Sequence, residues 1–242
     1  MRYYVTGTDT GVGKTRVTAA LACALGRSDY TPREATRVTI VKLAQTGVAQ
    51  GEPGDAEVAG FLAACPAREL HRFRVPADPW TAALAEQREP LRAASLAAEL
   101  DGIAGDLIVE GSGGVAVPLN EGESLTDVAI AARCAAIVVV GLRLGCLNHA
   151  LLTLEYLARR GVPVRIIAYT EPWEAVDTDY RLQVERALNA KMPEIAAIAR
   201  RAGVARSRGL PLTVHLPFDT DAVRSIADAA RDSKFRPGTF VE

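Results

Sequence analysis

Cysteine is scarce in this chain. Cys23, Cys65, Cys134 and Cys146 stand far apart among apolar neighbours, the pattern of reduced, buried thiols in a cytosolic protein rather than of a disulfide framework or a metal cluster. Histidine is scarcer still, and none of His71, His149 and His215 stands out as a general base. An excess of one charge is missing too: 28 Lys and Arg against 29 Asp and Glu leave a net charge of −1. No basic field therefore draws the chain to nucleic acid or to an anionic membrane. No apolar run is long enough to cross a bilayer, the longest being residues 135–142. The chain runs directly into the strand-like residues 3–5, so no secretory signal is expected. It shows no internal repeat, no low-complexity tract and no dividing linker. What is present is an ordinary globular balance, 49% hydrophobic and 24% charged, which excludes a disordered or fibrous protein. A length of 242 residues allows a substantial core and fits one parallel α/β unit spanning 1–242. The expectation is a cytoplasmic α/β enzyme or switch.

Strand-like runs alternate with helical ones. Residues 2–7 are short, apolar and β-branched, and a Gly/Thr loop then opens into a helix over 14–26. Further strands are expected at 37–42, 106–111, 135–141, 164–169 and 212–216. Helices are expected at 55–64, 91–103, 125–133, 148–160, 179–201 and 220–231, the first opened by Asp55 and stopped by Pro66. Residues 26–36, polar and with a proline, read as a surface loop. Unbroken apolar strands alternating with helices predict a mostly parallel, Rossmann-like sheet covered by helices on both faces. In such folds the working loops gather at the carboxyl edge of the strands, and the unusual residues here follow the first four strands.

Residues 7–15, GTDTGVGKT, leave the first strand and start the first helix. Successive backbone N–H groups of a glycine-rich loop, with the positive end of a helix, cradle phosphates. Lys14 can bridge terminal phosphates and Thr15 can offer its hydroxyl to Mg²⁺. Five residues rather than the usual four separate Gly7 from Gly13, but the strand–loop–helix context identifies a P-loop. Lys42 ends the second strand and precedes Leu43-Ala44-Gln45-Thr46-Gly47. A lysine there either points into the same cleft, where two ammonium groups would suit a transition state gathering negative charge, or snorkels off the strand end. Thr46 offers a hydroxyl on a permissive backbone. Asp55 reads either as a helix cap or as a metal ligand. Glu110, at the tip of an apolar strand and before Gly111-Ser112-Gly113-Gly114, needs a partner for its charge. Thr15, Asp55 and Glu110 together match what Mg²⁺ demands of a nucleotide site.

These segments, with Gly54-Asp55-Ala56, VEGSGG at 109–114 and GLRLGCLNH at 141–149, together resemble the dethiobiotin synthetase family. The likeness runs in order from residue 1 to about 170 and is weakly patterned beyond. The resemblance implies a P-loop enzyme, working as a homodimer, that uses ATP and Mg²⁺ in biotin synthesis. An amine of 7,8-diaminononanoate takes up CO₂ (or bicarbonate) as a carbamate, the carbamate attacks the γ-phosphate, and the second amine closes the ureido ring, giving dethiobiotin, ADP and phosphate. It implies catalysis by Lys42 and Lys14 and metal binding by Thr15, Asp55 and Glu110. The nucleotide would be contacted by Gly11, Val12, Gly13, Lys14, Thr15 and Arg16, by Asp55, and by Glu110, Gly111, Ser112 and Gly113. The substrate would meet Thr10 and Thr46, with Asn148 and Tyr180 reaching the diamine's carboxylate across the dimer. Tyr169 and Thr170 stand where many members carry an asparagine that reads adenine, and Pro217 matches the base-flanking loop. Leu43 replaces a usual proline, Arg143 a common lysine and Ser112 an alanine. A partition-ATPase-like switch or nucleotide-binding regulator shares the sheet and the cradle, but that group usually has an extra lysine early in the glycine loop, which Thr8-Asp9-Thr10 lacks.

Overall fold

Residues 1–26, 38–171, 176–204 and 211–216 are described by the computed structural model. In chain order they form β1 (Arg2–Gly7), α1 (Lys14–Gly26), β2 (Val38–Gln45), α2 (Asp55–Ala63), β3 (Ala67–Arg72), α3 (Pro79–Ala85), α4 (Ala93–Asp101), β4 (Asp106–Gly114), α5 (Leu125–Ala131), β5 (Ala135–Gly141), α6 (Cys146–Arg159), β6 (Val164–Thr170), α7 (Thr178–Arg201) and β7 (Leu212–Leu216). The strands make one seven-stranded sheet, ordered β3-β2-β4-β1-β5-β6-β7, in which every pairing is parallel. The α/β class with helices on both faces is the one the alternation predicts.

Alternation along each strand sends side chains to two different layers. Tyr3 and Val5 of β1 pack with Ile40, Ile108 and Ile137 against α1 and α2. Tyr4 turns the other way, to join Val41, Leu107 and Val109 under α4 and α5. On that same side Val138, Val140 and Tyr169 meet α6 and α7. Helix α1 is buried on most of its surface because its alanines and leucines fill the space between sheet and α2. Leu21 is fully buried there. Leu21→Ala is expected to cost about 2–5 kcal/mol by urea denaturation, since the surrounding cluster collapses only partly around the missing carbons.

Two elements escaped the periodicity. Strand β3, ARELHR, carries neither an apolar run nor strict alternation. It forms because, among the described residues, it is an edge strand with β2 as its one neighbour, so its polar side chains stay half-wet. Its presence also explains why β2 continues three residues past Lys42, as Ala44 and Gln45 pair with His71 and Arg72. Helix α3 is opened by Asp78, whose carboxylate accepts from the Thr81 N–H, with Pro79 in the first turn. Strand β4 runs on to Gly114, which pairs with Gly7. The expected helix at 220–231 and the expected loop at 26–36, apart from Gly26, which ends α1, lie outside the described residues.

Candidate active site

Three neighbouring strands, β2, β4 and β1, deliver the charged cluster, and their register decides its geometry. Glu110 lies beside Lys42 of β2 on one side and Val5 of β1 on the other. Parallel neighbours in register point to one face, and Val5 faces α1, so Lys42 and Glu110 both face the helix that begins at the glycine loop. Lys42 Nζ donates to Asp55 Oδ2 at 2.5 Å, Glu110 Oε1 at 3.0 Å and the Gly111 carbonyl at 3.1 Å. Three acceptors match the three protons of an ammonium group. Burial alone would lower the pKa of Lys42, but the Glu110 and Asp55 carboxylates outweigh it and hold the ammonium above its ordinary value. Snorkelling is thereby replaced by a buried ion-pair centre, with Lys42 2% and Glu110 1% exposed.

Lys14 sits across the same cleft. Gly11 and Gly13 adopt φ of 71° and 87°, conformations that let the loop curl around a ligand-sized space. Lys14 Nζ donates to the Asp9 carbonyl at 2.9 Å. Burial, and then the positive charge of Lys42, push its pKa down to about 8. Thr15 donates its hydroxyl to Glu110 Oε1 at 3.1 Å. Asp55 is placed by Gln45, whose side-chain carbonyl accepts the Asp55 N–H at 2.8 Å where the helix has no side-chain cap of its own. The two carboxylates converge on one cation, Lys42, and the Thr15 hydroxyl joins them through Glu110, making a hard oxygen set. That chemistry fits Mg²⁺ and lacks the thiolate or imidazole a zinc site would use. No group of three or more His, Cys, Asp or Glu side chains suited to a metal occurs among the described residues, so phosphate and water would supply most of an octahedral shell.

The structure brings most of the expected residues to one cleft of about 740 Å³. The glycine loop and the start of α1 contribute Thr10, Gly11, Gly13, Lys14 and Thr15; Lys42 comes from β2, Thr46 from the residue after it and Asp55 from α2; Glu110, Ser112 and Gly113 come from β4. A larger groove, about 960 Å³ between α2 and β3, has none of the lysines, so convergent charge rather than size selects the smaller one. The other residues lie elsewhere. Val12 is buried with its methyls against the space a side chain at Gly7 or Gly141 would need. Gly111 contributes its carbonyl to Lys42. Arg16 reaches the Glu171 carbonyl at 3.5 Å.

Tyr169 and Thr170 are not at the cleft surface. Tyr169 is packed in the layer under α6 and α7, and the fully buried Thr170 donates its hydroxyl to the Val12 carbonyl at 2.5 Å. Thr170 thus pins the phosphate loop from below. Asn148 is exposed on α6, and Tyr180 donates to the Arg143 carbonyl at 2.9 Å. Pro217 lies outside the described residues. Sequence reasoning missed Gln45 and Thr18, the latter donating to Glu110 Oε2 at 2.7 Å. The spacing of three from Thr15 is the signal that points to Thr18, because positions three apart share a helix face. It also missed the wall formed by Pro76, Ala77 and Val117.

A parallel sheet with a glycine cradle between β1 and α1, and a buried acid on the adjacent strand β4, defines a P-loop nucleoside-triphosphate-binding protein. A family model described as an AAA domain matches residues 1–224. The ATP-dependent dethiobiotin synthetase BioD of Mycobacterium avium is 37% identical over 232 residues, covering 92% of this chain and 97% of that protein. The enzyme of the same name from Anaeromyxobacter dehalogenans (strain 2CP-C) is 37% identical over 233 residues, covering 89% and 98%. That of Saccharopolyspora erythraea reaches 46% over 162 residues, covering 65% and 68%. This chain belongs to the dethiobiotin synthetase family. Among solved structures, a ParA family ATPase from Chlorobium tepidum TLS superposes with a TM-score of 0.48 at 16% identity, covering 97% of this chain and 94% of that one. A likeness that loose does not bear on activity. No described helix is long and apolar enough to cross a membrane.

Proposed function

We propose that this chain is an ATP-dependent dethiobiotin synthetase, acting on 7,8-diaminononanoate and CO₂ or bicarbonate. The observation that carries the reading is the convergence of Lys14, Lys42, Asp55 and Glu110 on one cleft at the mouth of the P-loop. One amine of the diamine adds to CO₂ and loses a proton, giving a carbamate. A carbamate oxygen then attacks the γ-phosphorus as ADP departs, leaving a carbamic–phosphoric anhydride. The second amine attacks the carbamoyl carbon, and phosphate leaves with closure of the ring. Both bond-making partners in the phosphoryl step are anionic, so charge neutralisation and enforced proximity are the terms that matter.

Lys14 holds the terminal phosphates, and Lys42 faces carbamate and phosphate together. Thr10 and Thr46, both lining the cleft, contact the substrate. Thr15, Asp55 and Glu110 hold Mg²⁺, which neutralises phosphate charge when bound. Backbone N–H groups from Gly11 to Arg16, with Gly111, Ser112 and Gly113, receive the nucleotide; Ser112, whose hydroxyl donates to the Ala44 carbonyl at 2.5 Å, ties that loop to β2. Thr170 serves the nucleotide by holding the loop at the Val12 carbonyl, Tyr169 serves it indirectly as the buried neighbour of Thr170 at the end of β6, and Pro217 flanks the base.

A second copy of the chain completes the site. Asn148 and Tyr180 take the carboxylate of the neighbouring subunit's substrate. Support comes from the exposed Leu144 and Leu152 on the same loop and helix, 95% and 60% accessible, which a second copy would cover. Residues 1–242 act as one P-loop unit, in the cytoplasm, without membrane or nucleic-acid partners. The test is phosphate release with ATP, Mg²⁺, bicarbonate and the diamine. Omitting any one is expected to reduce release to background. Sustained ATP hydrolysis indifferent to the diamine would instead make the chain a switch of the partition-ATPase kind.

A further inference from the structure

We propose that Thr18, on the second turn of α1, is a positioning residue that divides the Glu110 carboxylate, tying one oxygen into the fold so that the other is presented to the cleft. The proposal rests on the reading of Glu110 as a metal ligand given above. A glutamate carboxylate rotates broadly about its last torsion, so nothing in the residue itself chooses which oxygen faces a ligand. Here the two oxygens have separate partners. Oε1 accepts from Thr15 and Lys42, both of which line the cleft. Oε2 accepts from Thr18 at 2.7 Å, and Thr18 is fully buried and absent from the cleft lining. The distance is that of a hydroxyl serving a charged acceptor.

The helix makes this division rigid. Thr15 and Thr18 are three residues apart and lie on one face of α1. Helical threonines commonly turn the hydroxyl back to a carbonyl of the preceding turn, whereas Thr18 directs its hydroxyl across to β4. The orientation of the carboxylate is therefore fixed by the same two helical turns that begin at the phosphate loop. Without the Thr18 hydroxyl, Oε2 is left buried and unsatisfied, and the group gains by rotating toward the donors in the cleft. That rotation removes Oε1 from the place where it serves a cation.

Thr18→Val keeps the shape and removes the donor; Thr18→Ser keeps the donor. ATP binding is measured calorimetrically with EDTA and again with Mg²⁺, beside turnover and thermal denaturation. Thr18→Val is expected to bind ATP in EDTA within about 2-fold of wild type, while the enhancement by Mg²⁺ and the turnover each fall about 10- to 100-fold, the usual effect of removing a group that orients a metal ligand. Thr18→Ser is expected to stay within about 3-fold on both. A purely structural role would lower the melting temperature and leave the Mg²⁺ enhancement intact; that result overturns the proposal. Should Thr18→Val not fold, Thr18→Ala is read in the same way. A wild-type protein that binds ATP without any Mg²⁺ enhancement overturns the metal site and this proposal together. A normal wild type with an unaffected Thr18→Val overturns this proposal alone.

Discussion

Lys42→Ala is expected to make no detectable dethiobiotin, a loss of about 10³-fold or more, while ATP still binds. Removing one preorganised charged donor from a water-poor site commonly costs about 10²–10³ in rate. Lys42 would be doing more than one donor's share, because the carbamate and the phosphate it approaches repel each other. The structure adds a second consequence. Glu110 is buried, and loss of Lys42 leaves it with only the Thr15 and Thr18 hydroxyls as partners among those described. Breaking a buried ion pair by deleting one member costs about 3–5 kcal/mol, and the two remaining donors put this case near the low end. Lys42→Met, which keeps the volume of the chain, is expected to lose as much activity and nearly as much stability by urea denaturation. The sign with pH follows from the raised pKa: the stabilisation from Lys42 is fully present at neutral pH, below the ordinary lysine range, and on the alkaline side is lost only as pH rises through its elevated folded value. Normal turnover in Lys42→Ala would remove this side chain from the chemistry.

The phosphate loop, Lys42 and Glu110 were legible because each combines an unusual residue with a strong local context. Glycines between a β-branched strand and an alanine-rich helix point to a phosphate cradle, and a charge closing an apolar strand is conspicuous. Gln45, Thr18 and β3 were not legible for the complementary reason. Gln45 is one polar residue at the end of β2, and its partner, the Asp55 N–H, is ten residues away in sequence. Thr18 looks like any β-branched residue in a helix until β4 is placed opposite it. Strand β3 depends on β2 for its conformation, since its own sequence lacks the strand period. Tyr169 and Thr170 illustrate a different limit. Their place at the carboxyl end of β6 marks them as neighbours of the nucleotide, but strand alternation turns Tyr169 into the core, and the Thr170 hydroxyl is spent on Val12. Chain order gives the neighbourhood; only the direction of each Cβ decides what touches the ligand.

Lys14→Ala is expected to weaken both nucleotide binding and turnover, each by about 10²-fold or more, in contrast to the selective effect at Lys42. Its ammonium now rests on the Asp9 carbonyl, a neutral acceptor that a triphosphate displaces with advantage. The pKa of about 8 gives the prediction a pH signature. In the free protein the charged form is disfavoured by burial first and by Lys42 second. Below pH 8 the group is protonated folded and unfolded, and the penalty on the fold is fully present. Between pH 8 and the ordinary lysine range the unfolded chain binds the extra proton, so stability rises with pH, by up to about 3 kcal/mol for a shift of this size. Nucleotide binding runs the opposite way. Phosphate calls for the ammonium, so ATP affinity is expected to fall up to about tenfold per unit above pH 8, with proton uptake on binding. Calorimetry in two buffers of different ionisation heat measures that uptake directly. In Lys14→Ala the weakened affinity is expected to be nearly flat from pH 7.5 to about 9.5. A variant that kept the wild-type slope would place the titrating group elsewhere, and Lys14 would then be a fixed charge at every pH at which the enzyme works.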